Sequence, residues 1–170
     1  MNRFLIANAQ QCIGCRTCEV ACAVAHQQAQ DVSMLSTSHF APRIRVVKSG
    51  EISTATACRQ CEDAPCASVC PQGAIQRDND VWWVDQRRCI GCKSCALACP
   101  FGAPRYRPSD GKMVKCDGCN TRVKCGLQPA CVRACSFGAL TCVTEEEYLA
   151  ADSGKACSAL LSQYAPKKTI

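Results

Sequence analysis

The apolar residues of this chain fall in short clusters between cysteines and turn signals, and no continuous hydrophobic stretch is long. Gly73-Ala74-Ile75-Gln76, the turn signal Asp78-Asn79-Asp80 and the run Val81-Trp82-Trp83-Val84 together predict a β-hairpin. Trp82 and Trp83 are neighbours on its second strand, so they face opposite ways and one is expected to pack inward. Phe101-Gly102-Ala103 and Phe137-Gly138-Ala139-Leu140 read as matching strand pieces further along. The stretch 23–56 reads as a connection holding one strand, Arg43-Ile44-Arg45-Val46-Val47. Thr144-Glu145-Glu146-Glu147 has the form of a capping box. With Tyr148, Leu149, Leu160 and Leu161 on a partly apolar face, it predicts a C-terminal helix over 144–164, with a break near Gly154.

Such a pattern makes a thin core, and two Trp, three Tyr and four Phe do little to thicken it. Cysteine changes the picture. Nineteen of the 170 residues are cysteine, a density that marks a scaffold of disulfides or of metal sites. The choice between them follows the redox compartment. Met1 to Asn8 contain only a short apolar run, with neither the apolar region of a signal peptide nor a twin-arginine motif. No segment approaches the roughly 20 apolar residues that cross a bilayer. The expectation is a cytoplasmic chain with reduced thiols and no direct membrane span. An odd number of cysteines also fits full pairing poorly. Dense thiols then read as metal ligands, and metal binding contributes directly to folding.

The cysteines repeat in four packets. These are Cys12-x2-Cys15-x2-Cys18-x3-Cys22 and Cys58-x2-Cys61-x4-Cys66-x3-Cys70-Pro71. Then come Cys89-x2-Cys92-x2-Cys95-x3-Cys99-Pro100 and Cys116-x2-Cys119-x11-Cys131-x3-Cys135. Each unit reads as a cysteine loop, a short helix carrying the last cysteine, then a strand. Two units make a bacterial ferredoxin-like module and four make two modules, an α+β fold with short hairpins and a helical tail.

A cubane iron–sulfur cluster needs four thiolates spread around a compact body. Three cysteines at x2 spacing wrap one cluster closely. A fourth, three residues on, points away and ligates the other cluster of a two-cluster ferredoxin. Proline after the last ligand suits a chain leaving its helix. The third packet matches this pattern fully, whereas Ala23 and Ser136 replace the proline in the first and fourth. Structural zinc on four cysteines is the competing reading, and the fourth packet alone could pass for a zinc ribbon. Its third ligand is read as Cys131, because Cys131-x3-Cys135 repeats the common spacing and Pro129-Ala130-Cys131 echoes Ala64-Pro65-Cys66. Cys125 then becomes a free loop thiol. Cys142 and Cys157 read as small apolar residues.

The formal charge of +6 invites a nucleic-acid partner, but each thiolate-bound cluster carries a charge of about 2−. Four of them bring the chain to about −2, so the cation surplus offsets buried anionic clusters and no nucleic-acid partner is expected. His26 and His39 are too isolated for catalysis and read as solvated or locally hydrogen-bonded. Arg16 and Lys93 sit within cysteine loops, where a cation raises a cluster's potential. No dinucleotide, P-loop or flavin motif is present. The sequence therefore offers an electron-transfer chain with no catalytic site of its own. A redox-sensing or cluster-storage module is the alternative.

On these motifs the chain resembles the four-cluster iron–sulfur subunits of molybdenum oxidoreductases such as dimethyl sulfoxide reductase and formate dehydrogenase. Met-Asn-Arg-Phe at 1–4, Cys-Ile-Gly-Cys-Arg-Thr-Cys-Glu-Val-Ala-Cys at 12–22 and Cys-Arg-Gln-Cys-Glu-Asp-Ala-Pro-Cys at 58–66 resemble most the HydN/HycB group. That group is cytoplasmic and associated with formate dehydrogenase H and formate hydrogenlyase. The resemblance covers about residues 1–143. It implies four 4Fe–4S clusters in a wire, with packet one paired to four and packet two to three. The implied ligand sets are Cys12, Cys15, Cys18, Cys135; Cys116, Cys119, Cys131, Cys22; Cys58, Cys61, Cys66, Cys99; and Cys89, Cys92, Cys95, Cys70. The implied modules are 1–57 with 101–143, and 58–100, followed by a tail over 144–170. The implied partners are a molybdenum-containing catalytic subunit, on which the first-packet cluster faces, and a hydrogenase or other acceptor.

Overall fold

The computed structural model describes residues 3–78 and 80–151. The first half contains β1 (Arg3–Ala7), α1 (Thr17–Ala25), a 3-10 turn (Val32–Met34), β2 (Arg45–Ser49), β3 (Ile52–Thr56) and α2 (Pro65–Ser68). Next come β4 (Ile75–Asp78), β5 (Val81–Val84), α3 (Ser94–Ala98), β6 (Arg105–Arg107) and β7 (Lys112–Val114). α4 (Asn120–Lys124), α5 (Ala130–Arg133) and β8 (Leu140–Thr144) complete the series. Among the described residues the strands form four antiparallel pairs, β1–β8, β2–β3, β4–β5 and β6–β7.

Helix length follows what comes after each packet's last cysteine. A residue before proline disfavours the α conformation. Accordingly α2 and α3 stop before Cys70 and Cys99, and Cys99 is extended at φ −83°, ψ 115°. The first packet has Ala23 where the second and third have proline, and α1 runs through Cys22 to Ala25. The expected helix under the last cysteine therefore holds only in packet one. In the other three packets the third cysteine (Cys66, Cys95, Cys131) rides the helix and the fourth lies past its end.

The hairpin expected at 73–84 is β4–β5, in register from Ile75↔Val84 to Asp78↔Val81. The strand expected at 43–47 sits two residues later as β2 and pairs with β3 across a turn in which Gly50 takes φ +57°. Residues 101–103 form no strand; the chain becomes extended at β6. β1 and β8 join the two ends of the described chain from Arg3↔Thr144 to Ala7↔Leu140. At the β8 end the capping box forms as expected. Thr144 N–H donates to Glu147 Oε2 (2.8 Å) and Glu147 N–H to Thr144 Oγ1 (3.2 Å). Residues 145–151 are helical, and Tyr148 meets Phe4 edge-on at 5.6 Å. The rest of the helix expected to 164, with Gly154, Cys157, Leu160 and Leu161, lies outside the described residues.

Two apolar clusters form the core, and cysteines are integral to both. Leu5, Ile44, Val46, Ala103 and Leu140 pack with Cys18, Cys22, Cys58, Cys116 and Cys131. Ala64, Ile75, Val84 and Met113 pack with Cys66 and Cys95.

Candidate metal centres

Each cysteine loop turns on left-handed residues. Gly14 (φ +74°) and Arg16 (φ +62°) recur as Gly91 (φ +70°) and Lys93 (φ +65°), while Gln60, Gly118 and Cys119 do the same in packets two and four. Alternation of left- and right-handed conformations turns successive N–H groups to one side, making a concavity suited to an anion. Gly91 is also a close approach: a Cβ there would lie 1.9 Å from the carbonyl oxygen of Gly111.

The structure brings the expected ligands together across the packets. One cavity is lined by Cys12, Cys15, Cys18 and Cys135, roofed by Val46, Ala55 and Leu140. A second is lined by Cys70, Cys89, Cys92 and Cys95, with Ile75, Val84 and Met113. The other two sets are recognised by which thiols feel one another's charge. Burial pushes the Cys131 thiol well above its usual range, and Cys116, Cys22 and Cys119 push it further. Cys22 likewise raises Cys116 and Cys119, the latter to about 11 mainly through burial. Cys66, raised first by burial, is raised also by Cys58 and Cys99. Cys61 joins that set through its loop. Weaker couplings link one set to the next: Cys131 with Cys18, Cys116 with Cys58, and Cys95 with Cys66.

These sets suit a cubane cluster. Their thiols line apolar recesses, and backbone N–H groups are aimed at several sulfurs. Arg43 N–H lies 3.3 Å from Cys22 Sγ, Ala74 N–H 3.3 Å from Cys70, Met113 N–H 3.3 Å from Cys89 and Gln60 N–H 3.4 Å from Cys58. Such bonds favour the thiolate, the ligating form, and raise cluster potential. Burial opposes ionisation of the empty sites, lifting Cys18 and Cys95 to about 11.

An ionic triad missed by the sequence reading braces packet four. Asp117 Oδ2 accepts from Arg43 Nη1 (2.6 Å), and its Oδ1 is 3.3 Å from His26 Nε2 and accepts from Cys119 N–H (3.1 Å). Burial pushes the Asp117 carboxyl up, but His26 and Arg43 override it and hold it far below the usual range. His26 also bonds the Cys22 carbonyl at 2.7 Å, so its partners are both local and 91 residues distant. His39 stays exposed among Ser36 and Ser38, as expected. Both tryptophans are half-buried; Trp82 packs on the second core cluster and its Nε1 donates to the Cys61 carbonyl at 2.7 Å. Arg16 and Lys93 are exposed, with Lys93 over the Tyr106 ring. Cys125 is exposed and Cys142 half-buried on β8.

The class these features define is an iron–sulfur electron carrier, a subunit without a catalytic site of its own. The chain belongs to the 4Fe–4S dicluster domain family, which it matches over residues 51–145, packets two to four. It is 52% identical over 158 residues to the electron transport protein HydN of Escherichia coli K12, covering 84% of this chain and 89% of that one. It is similar also to YsaA of the same strain, 56% identical over 149 residues (86% and 93% covered). A probable anaerobic dimethyl sulfoxide reductase chain there, YnfG, is 38% identical over 141 residues (78% and 69% covered). No helix among the described residues is long and apolar enough to cross a membrane.

Proposed function

We propose that the chain is a one-electron relay with four 4Fe–4S clusters, serving a cytoplasmic molybdenum-type oxidoreductase of the formate dehydrogenase or formate hydrogenlyase kind. The ligand sets are Cys12, Cys15, Cys18, Cys135; Cys22, Cys116, Cys119, Cys131; Cys58, Cys61, Cys66, Cys99; and Cys70, Cys89, Cys92, Cys95. The carrying observation is that two separate cavities are each lined by one whole set drawn from two packets. When bound, such clusters supply one-electron chemistry at potentials set by their surroundings. The chain's part is to hold the thiolates, donate N–H bonds to them and keep water away with its apolar roof.

The couplings between sets support a single row in the order just given. Cys15 at one end and Cys92 at the other are exposed. Ile13 and Phe137 flank the first end, Ile90 and Leu97 the second, and all four are exposed. Ends of this kind suit entry and exit of electrons at protein partners. The modules are 1–57 with 101–143, and 58–100, with 144–170 as a tail. The β6–β7 hairpin bridges them, since Met113 reaches the Cys89 cavity. The formate assignment rests on the resemblance of residues 1–4, 12–22 and 58–66 to the HydN/HycB group, and the identity to HydN supports it. The test is purification of the tagged chain from anaerobic cells of its source. A molybdenum-containing subunit that reduces the clusters on adding formate is expected; a partner inert to formate contradicts the assignment.

A further inference from the structure

Lys115 is 2% exposed, and among the described residues it is the only buried lysine or arginine. It directly precedes Cys116, and its Nζ donates to the carbonyls of Trp82 and Cys116, the latter at 3.1 Å. Gln60, two residues after Cys58, is buried beside it. Its Nε2 donates to the same Cys116 carbonyl (3.1 Å), and its Oε1 accepts the Trp82 N–H (2.9 Å). The ammonium thus sits in a dry polar node joining packet two, β5 and packet four. Among the described residues it has no carboxylate partner. A buried cation without a counter-charge is costly. The negative charge nearest in chemistry is that of the thiolates. Burial raises the Cys66 thiol, and Lys115 is the largest influence working against it.

We infer that Lys115 is a positioning residue of the relay, a fixed internal cation between the two middle ligand sets that raises the reduction potential of the clusters they hold. Reduction adds one negative charge to a cluster, and a nearby positive charge stabilises the reduced form more than the oxidised one. Burial makes this charge effective, whereas those of Arg16 and Lys93 are exposed and screened by solvent and salt. It also gives the cation surplus of the sequence a specific location.

The inference rests on the proposed ligand sets, and its test is an EPR-monitored redox titration of the loaded, full-length protein. Lys115→Met, neutral and of similar volume, is expected to retain the parent's iron while some reductive steps shift to lower potential. Lys115→Arg keeps the charge and is expected to leave those steps near the parent's. Unshifted steps in an iron-replete Lys115→Met protein would overturn the inference, as would Lys115→Arg shifting equally far. If Lys115→Met does not assemble, Lys115→Gln retains donation to the two carbonyls without the charge. The same downward shift is expected there, and its absence counts against the inference. The iron content of the parent tests the ligand sets separately, so the two readings fail in distinguishable ways.

Discussion

The tightest steric demand in the site falls on Gly91. A Cβ there would overlap the Gly111 carbonyl at 1.9 Å, and the backbone is left-handed besides. Gly102 is left-handed too (φ +59°) but has open space around it. Gly102→Ala is expected to cost only backbone strain, about 1–2 kcal/mol, and to keep full iron. Gly91→Ala should cost more and lose the cluster bound by Cys70, Cys89, Cys92 and Cys95, seen as a drop in iron content of about one quarter. Asp117 is the corresponding electrostatic demand. Asp117→Asn leaves Arg43 and His26 facing a neutral amide, and a loss of about 1–3 kcal/mol is expected, measured as a lower thermal midpoint. The repeated Ile-Gly-Cys of packets one and three made the loops legible in sequence. The Asp117 triad was not, because its members at 26, 43 and 117 share no local pattern.

Elements with a local cause were the readable ones. The Asp78–Asp80 turn marked β4–β5, and the capping box at 144–147 marked the start of the tail helix. Thr144→Ala is expected to cost about 1 kcal/mol and to lower hydrogen-exchange protection over 145–151, with α1 unaffected. Unchanged protection there would mean that the box does not hold the helix start. β3 escaped notice because Ile52–Thr56 is rich in Ser and Thr and one face is half-exposed. The β1–β8 pairing escaped because each strand finds its partner only once the intervening packets have folded. Helix ends were misplaced by a few residues where proline, not the last cysteine, decides them.

At the scale of the whole molecule, the folded chain depends on ligands shared between distant packets. Metal binding and folding are then one event, and a chelator should unfold the chain as it strips the iron. The crossing also makes a specific demand. Cys22→Ser and Cys131→Ser should abolish the same EPR component, whereas Cys12→Ser should abolish a different one, and Cys125→Ser none. The cysteine spacing and the family resemblance carried this architecture in advance. Lys115 and the N–H donors to sulfur were invisible, since they depend on which backbone segments lie against each loop. The most direct test of the central claim is iron and acid-labile sulfide analysis, with EPR, on the anaerobically purified full-length chain. Four 4Fe–4S clusters predict about sixteen irons and sixteen sulfides per chain with interacting signals on reduction. A protein that holds zinc, or no more than about eight irons when fully loaded, would contradict it.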